Sequence, residues 1–359
     1  MSANASSAIA RGLALLPALL LAGCQSLGYY AQAVQGQSGL LLKRQPVERL
    51  LADARTPPAL RARLEAVQRI RAFAAAELGL PAQRQYASYV ELDREYPVWA
   101  VTAAPELSLA PKTWCYGLVG CLSYRGYFRE KSAQRYADEL RRQGFEVSVS
   151  GVAAYSTLGW FRDPLLSSFI GLPEAALAEL IFHELTHQLL YVPGDTVFNE
   201  SLAVTVADEG LRRYSRKYPL DLARLARDRQ RRDEFVGLVL EYRARLEAVF
   251  AEPWSAAEKR RAKADTYAAL QAAYAELKQG WGGYDGYDAW FRAVNNAQLN
   301  TIATYFELVP ALQQLLREQQ GDLAEFLAAC RHLAKMDQTS RHRELAQRLA
   351  AAAPPEARP

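Results

Sequence analysis

Ile181-Phe182-His183-Glu184-Leu185-Thr186-His187-Gln188 is the stretch on which the fold turns, and a helix is the way to read it. Pro173 and Glu174 suit a first helical turn, where a missing N–H costs little and an acid complements the dipole. Ala176, Leu177, Leu180, Ile181, Leu185 and Leu189 then keep helical apolar spacing until Pro193-Gly194 stops it. On such a helix His183 and His187 stand at i and i+4, so their imidazoles share one face and can share one cation. Glu184 lies about 100° round the axis, placed to address a metal-bound water without being a ligand. The chain has only four histidines, and two of them fall in this motif.

Working outward, composition bounds the rest. The 359 residues are 50% hydrophobic and 23% charged, which is globular and large enough for one big or two medium domains. Lys and Arg number 43 against 39 Asp and Glu, a net charge of +4 that gives no reason to expect nucleic-acid binding. No RNP, helix-turn-helix or zinc-finger pattern is present either.

Residues 1–23 read as a targeting segment: Arg11, then an apolar run from Gly12 to Ala22 that is too short to span a bilayer. Leu21-Ala22-Gly23-Cys24 resembles the lipobox of bacterial lipoproteins. That resemblance implies cleavage before Cys24 and lipidation of it, giving stable membrane anchoring through several acyl chains. Gln25 in place of Asp implies the outer membrane, facing the periplasm. In that oxidising compartment the six-residue spacing of Cys115 and Cys121 is one a disulfide can close, two buried thiols being the alternative. Cys330 reads as an inert core residue.

Along the chain, residues 24–84 form a helical lead-in, with helices at Val47–Ala54 and Leu60–Leu78. Residues 85–215 mix strand-like runs (Tyr89–Leu92, Trp99–Thr102, Gly117–Leu122, Phe145–Val149, Ala154–Phe161) with the motif helix. A helical region spans 216–353, with a kink near Pro310, and 354–359 is a disordered tail. The class is α+β, mostly helical: a small mixed or antiparallel sheet precedes the motif helix and a helical half follows it. This order resembles zincin-type zinc peptidases, in which an edge strand can pair with an extended peptide; Tyr155–Asp163, containing Gly159 and Trp160, is the segment expected to do so.

A catalytic zinc site usually takes three protein ligands and water. Leu190 and Pro193 occupy the positions where a metzincin would have Gly and His, so that pattern is excluded. Asn199-Glu200, on a helix capped by Asp195 or Thr196, resembles the gluzincin arrangement and makes Glu200 the third ligand of one Zn²⁺. Asp195 is the alternative ligand, and Asp208 or Glu209 is placed to orient a histidine from behind. Over most of its length the chain resembles a family of bacterial lipoproteins described as predicted aminopeptidases, matching at Tyr29–Gln32, Gly36-Gln37, Tyr124–Phe128, Ala154–Pro164, the zinc region and Asn295–Tyr305. The resemblance implies peptide hydrolysis with Glu184 as general base and acid. Tyr305 is the expected oxyanion donor, and Asn295 and Asn296 the expected contacts to substrate backbone. A Gly-x-Met-Glu-Asn anchor for a substrate amine is absent. The rival class is a non-enzymatic envelope lipoprotein with a structural or vestigial metal site; a closed site would need a fourth ligand, and His332 and His342 lie far off in sequence.

Overall fold

The computed structural model describes residues 28–117, 119–154, 157 and 161–352. A first helix, α1, covers 28–42. A short strand β1 (Gln45–Pro46) and helices α2 (Val47–Ala52) and α3 (Pro58–Glu77) follow. The α3 helix begins at Pro58, whose fixed φ suits a first helical position and whose missing N–H would have no partner there anyway. The middle of the chain contributes strands β2 (Ser88–Val90), β3 (Val98–Pro105), β4 (Trp114–Tyr116), β5 (Gly120–Leu122) and β6 (Arg125–Tyr127). Helix α4 (Glu130–Arg142), strands β7 (Phe145–Val152) and β8 (Leu165–Leu166), and a single turn α5 (Ser167–Ile170) complete it. Thereafter the described chain is helical: α6 (Glu174–Leu189), α7 (Thr196–Lys217), α8 (Leu222–Ala251), α9 (Ala256–Gly280), α10 (Asp288–Arg292), α11 (Asn296–Phe306), α12 (Val309–Glu318), α13 (Leu323–Leu333) and α14 (Gln338–Ala352). The class is thus α+β and mostly helical, as the sequence indicates, with sheets of two or three strands.

Two details differ from expectation. At Pro310 the chain does not kink within a helix: α11 ends at Phe306 and α12 starts anew with Pro310 in its first turn, where no hydrogen bond is lost. Of the strand expected over Ala154–Phe161, the described residues Ala154, Thr157 and Phe161 are not in a strand. Thr157 instead caps back on Asp163, its Oγ1 donating to Oδ1 at 2.6 Å.

Three hydrophobic cores place the site. The largest joins α3 (Ile70, Phe73), α6 (Ile181, Phe182), α7 (Phe198, Val206) and the C-terminal helices through Leu312, Phe326 and Leu345. The lead-in helices and the chain's end therefore brace the motif helix from behind. A second core, around Val239, Leu270 and Leu299, binds α8, α9 and α11 together. The third lies under the sheet β6-β3-β7, in which both pairings are antiparallel. Because side chains alternate across a strand, Val101, Ala103 and Val147 face α4 while Ala100, Thr102 and Ser148 face the opposite way. That opposite face looks into a cavity whose far end is α6. The motif helix itself packs on α7 and α3, so the sheet stands across the cavity from it. No helix among the described residues is long and apolar enough to cross a membrane.

Candidate metal centre

The two helices that carry the motif are joined by residues 190–195, and that joint is fastened at several points. Glu174 in the first turn of α6 accepts from Tyr214 of α7 at 2.6 Å and from Arg69 of α3 at 3.0 Å. At the other end Asp195 caps α7, accepting from the Phe198 N–H at 3.1 Å. Asn199 grips the joint from inside: its Oδ1 accepts from the Val192 N–H and its Nδ2 donates to the Val192 carbonyl, both at 2.8 Å. The Asn of the Asn199-Glu200 pair thus fixes how the second helix leaves the first. The disulfide-closed hairpin β4–β5 (Cys115–Cys121) leans on the same joint. Gly120 there has φ +76°, and a Cβ on it would stand 2.5 Å from the Gly194 nitrogen, so only glycine fits that close approach.

This frame brings three donor atoms together. His183 Nε2 lies 3.1 Å from Glu200 Oε2, His187 Nε2 lies 3.4 Å from it, and the two imidazole nitrogens are 3.2 Å apart. A tetrahedral ion with bonds of about 2.0–2.1 Å separates its ligands by about 3.3 Å. The triangle therefore has the size of one face of a tetrahedral coordination shell, and these residues can hold a metal ion. Among the described residues no other such group of His, Cys, Asp and Glu occurs. Burial opposes charge on Glu200, but His187 and His183 outweigh it and hold its carboxyl well below the usual range. The site thus presents an anion flanked by two imidazoles, the donor chemistry a divalent cation needs. His187 Nδ1, on the ring's far side, is buried without a partner among the described residues.

Several expectations are corrected here. Asp195 is no ligand: its carboxylate takes both Arg341, at 2.8 Å, and His342, at 3.0 Å. Neither Asp208 nor Glu209 orients a histidine, because Asp208 pairs with Arg232 and Glu209 with Arg212 and Arg213. Asn295 and Asn296 do not line the cavity. Asn295 caps α11 and donates to the Val147 carbonyl. Asn296, fully buried, donates to the carbonyls of Pro105, Glu106 and Ser108 and accepts from Tyr267. Their amides sew α11 to the sheet. Gly159, Trp160 and Cys24 lie outside the described residues.

Above the triangle is a cavity of about 460 Å³. Glu184 reaches it without joining the ligand group, and burial raises its carboxyl pKa against the opposing pull of His183 and His187. Tyr305 stacks on His183, ring centroids 6.0 Å apart and planes 23° from parallel. The Glu200 carboxylate raises the Tyr305 hydroxyl pKa, so its proton stays on. Tyr124, which the sequence marks only within the family match, lines the cavity beside His183, His187 and Glu200, its hydroxyl pKa raised by burial and then by Glu200. Tyr191, also in the wall, donates to the Val119 carbonyl at 3.2 Å. The signal for Tyr124 was weak: an aromatic residue before a short alternating run, indistinguishable from an ordinary strand end.

The family model described as Putative aminopeptidase matches residues 28–345, nearly the whole described chain, and the protein belongs to that family. No curated protein and no solved structure matches it.

Proposed function

We propose that this member of the aminopeptidase family is a zinc-dependent peptide hydrolase of the bacterial envelope, with His183, His187 and Glu200 as ligands and Glu184 as the group that moves protons. The observation that carries the reading is the triangle of donor atoms 3.1–3.4 Å on a side, opening into a cavity that the Glu184 carboxylate also lines. Two imidazoles and one carboxylate are a catalytic zinc set, and a fourth position facing a cavity favours catalysis over a closed structural site. Of the two histidines outside the motif, His342 is held by Asp195 and His332 is exposed, and neither joins the triangle.

When bound, zinc supplies Lewis acidity to a peptide carbonyl and brings the pKa of a water molecule toward about 7. Glu184 takes the proton from the attacking water and passes it to the leaving amine nitrogen. A carboxyl whose pKa is raised by burial serves this double duty better than an ordinary one, because it must both accept and release a proton near neutral pH. Tyr124 and Tyr305 keep their hydroxyl protons at neutral pH and donate to the substrate oxygen as it gains charge. Lipidation at Cys24, by the lipobox-like Leu21–Cys24, would tether the enzyme to the outer membrane facing the periplasm, where Cys115 and Cys121 can form their disulfide.

Elemental analysis of the purified chain tests the metal. It should carry about one zinc per chain, and His187→Ala should lose it while keeping a cooperative unfolding transition. Metal-free wild type under metal-replete conditions, or a variant that retains zinc, would contradict the ligand set.

A further inference from the structure

We propose that the sheet-facing half of the cavity is a specificity pocket for a large uncharged side chain, aliphatic or aromatic, of the peptide being cut. The inference rests on the hydrolase reading above and names its substrate class. Across the sheet, Gly126, Ala100 and Ser150 stand opposite one another in register, and Thr102 opposes Ser148 in the next row. All five face the cavity, so the floor is made of small side chains. Helix α11 supplies a wall of the same kind, for Ala297, Thr301 and Thr304 recur at helical spacing and all line the cavity. Tyr116, Phe128 and Trp290 add aromatic surface. Small residues on two sides and aromatic rings around them leave an apolar space that one large side chain fills. A volume of about 460 Å³ is within the range of small-molecule sites.

Charge decides which side chains are refused. Among the described lining residues, the Asp, Glu, His, Lys and Arg side chains are His183, Glu184, His187 and Glu200, the residues of the metal end. A lysine, arginine or acid seated against the sheet would find no counter-charge there, and an unpaired buried charge is costly. An apolar group gains from leaving water.

The test uses the zinc-loaded full chain and peptides that differ at one position (Phe, Leu, Tyr, Gly, Lys or Glu). Binding is measured with the cleavage-deficient Glu184→Gln variant by fluorescence anisotropy, and kcat/KM with the wild type. Phe, Leu and Tyr peptides should bind at least about 10-fold tighter than Lys and Glu peptides. Ala100→Leu, which fills the floor, should lower the Phe-to-Gly preference by about 10-fold or more. Ser150→Leu, at the exposed sheet edge, should do the same and guards against misfolding of the first variant. Equal binding of charged and apolar peptides, no measurable binding of any peptide, or an unchanged Phe-to-Gly ratio in folded variants overturns the pocket. Selective binding without cleavage keeps the pocket and overturns the hydrolase reading. Cleavage without selectivity does the reverse.

Discussion

Arg341 is a fully buried charge outside the cavity, and its removal should cost substantial stability. Its side chain is 2% exposed and its partner Asp195 is 1% exposed. The guanidinium also donates to the carbonyls of Leu333 and Met336, and its charge lies 5.1 Å over the Phe198 ring. Arg341→Met fills similar space but strands the Asp195 carboxylate in the core. Breaking a buried pair from one side costs about 3–5 kcal/mol. His342 still holds Asp195 at 3.0 Å, which favours the lower end, about 3 kcal/mol. In a chain of this size that is a melting-point drop of about 4 °C. Asp195→Asn keeps a capping side chain for α7 while removing the charge, so Asp195→Asn/Arg341→Met should be less unstable than the sum of the single variants by at least about 1 kcal/mol. Urea unfolding of the four proteins supplies the cycle. A loss under about 1 kcal/mol for Arg341→Met, or strict additivity, would refute the reasoning.

Acid should expose the same pair. Burial opposes ionisation of Asp195, but His342 and Arg341 prevail, so its folded-state pKa is lowered. The stabilisation is therefore complete above the unfolded carboxylate value of about 3.9 and is lost as pH falls through the lower folded value. Unfolding free energy measured from about pH 6 to about pH 3 should fall more steeply for wild type than for Asp195→Asn; parallel curves would count against the assignment. Anchoring rests on Leu21–Cys24, so Cys24→Ser should free the protein from membranes or leave an unprocessed precursor, and equal lipid labelling of both would sink it.

What was legible in the sequence was local. The helix Glu174–Leu189 follows from its apolar period and its proline-bounded ends, and the His183–His187 spacing from helical geometry. Glu200 was found because Asp195 announces a new helix start and Asn199-Glu200 follows within its first turns. What stayed hidden was which side chains meet across long separations. Asn295 and Asn296 looked free for substrate because the carbonyls that hold them, at 105–108 and 147, are some 150 to 190 positions away. Asp208 looks free for a histidine because Arg232, which claims it, stands on the next helix, whereas the partners of Glu209, Arg212 and Arg213, are its own i+3 and i+4 neighbours and are legible from helical spacing. The cavity wall on α11 was overlooked for a different reason: Ala297, Thr301 and Thr304 are small, and small residues at helical spacing are the usual sign of close packing, not of a vacant space.

Glu184→Gln tests the central claim most directly. The substitution keeps the size and hydrogen-bonding reach of the side chain and removes only its capacity to take a proton. With ligation assigned to His183, His187 and Glu200, the variant should hold zinc and melt close to wild type, while kcat for peptide cleavage falls by about 10²–10⁴ and KM changes little. Loss of zinc in that variant would make Glu184 a ligand, and cleavage at the wild-type rate would place the chemistry outside this motif altogether.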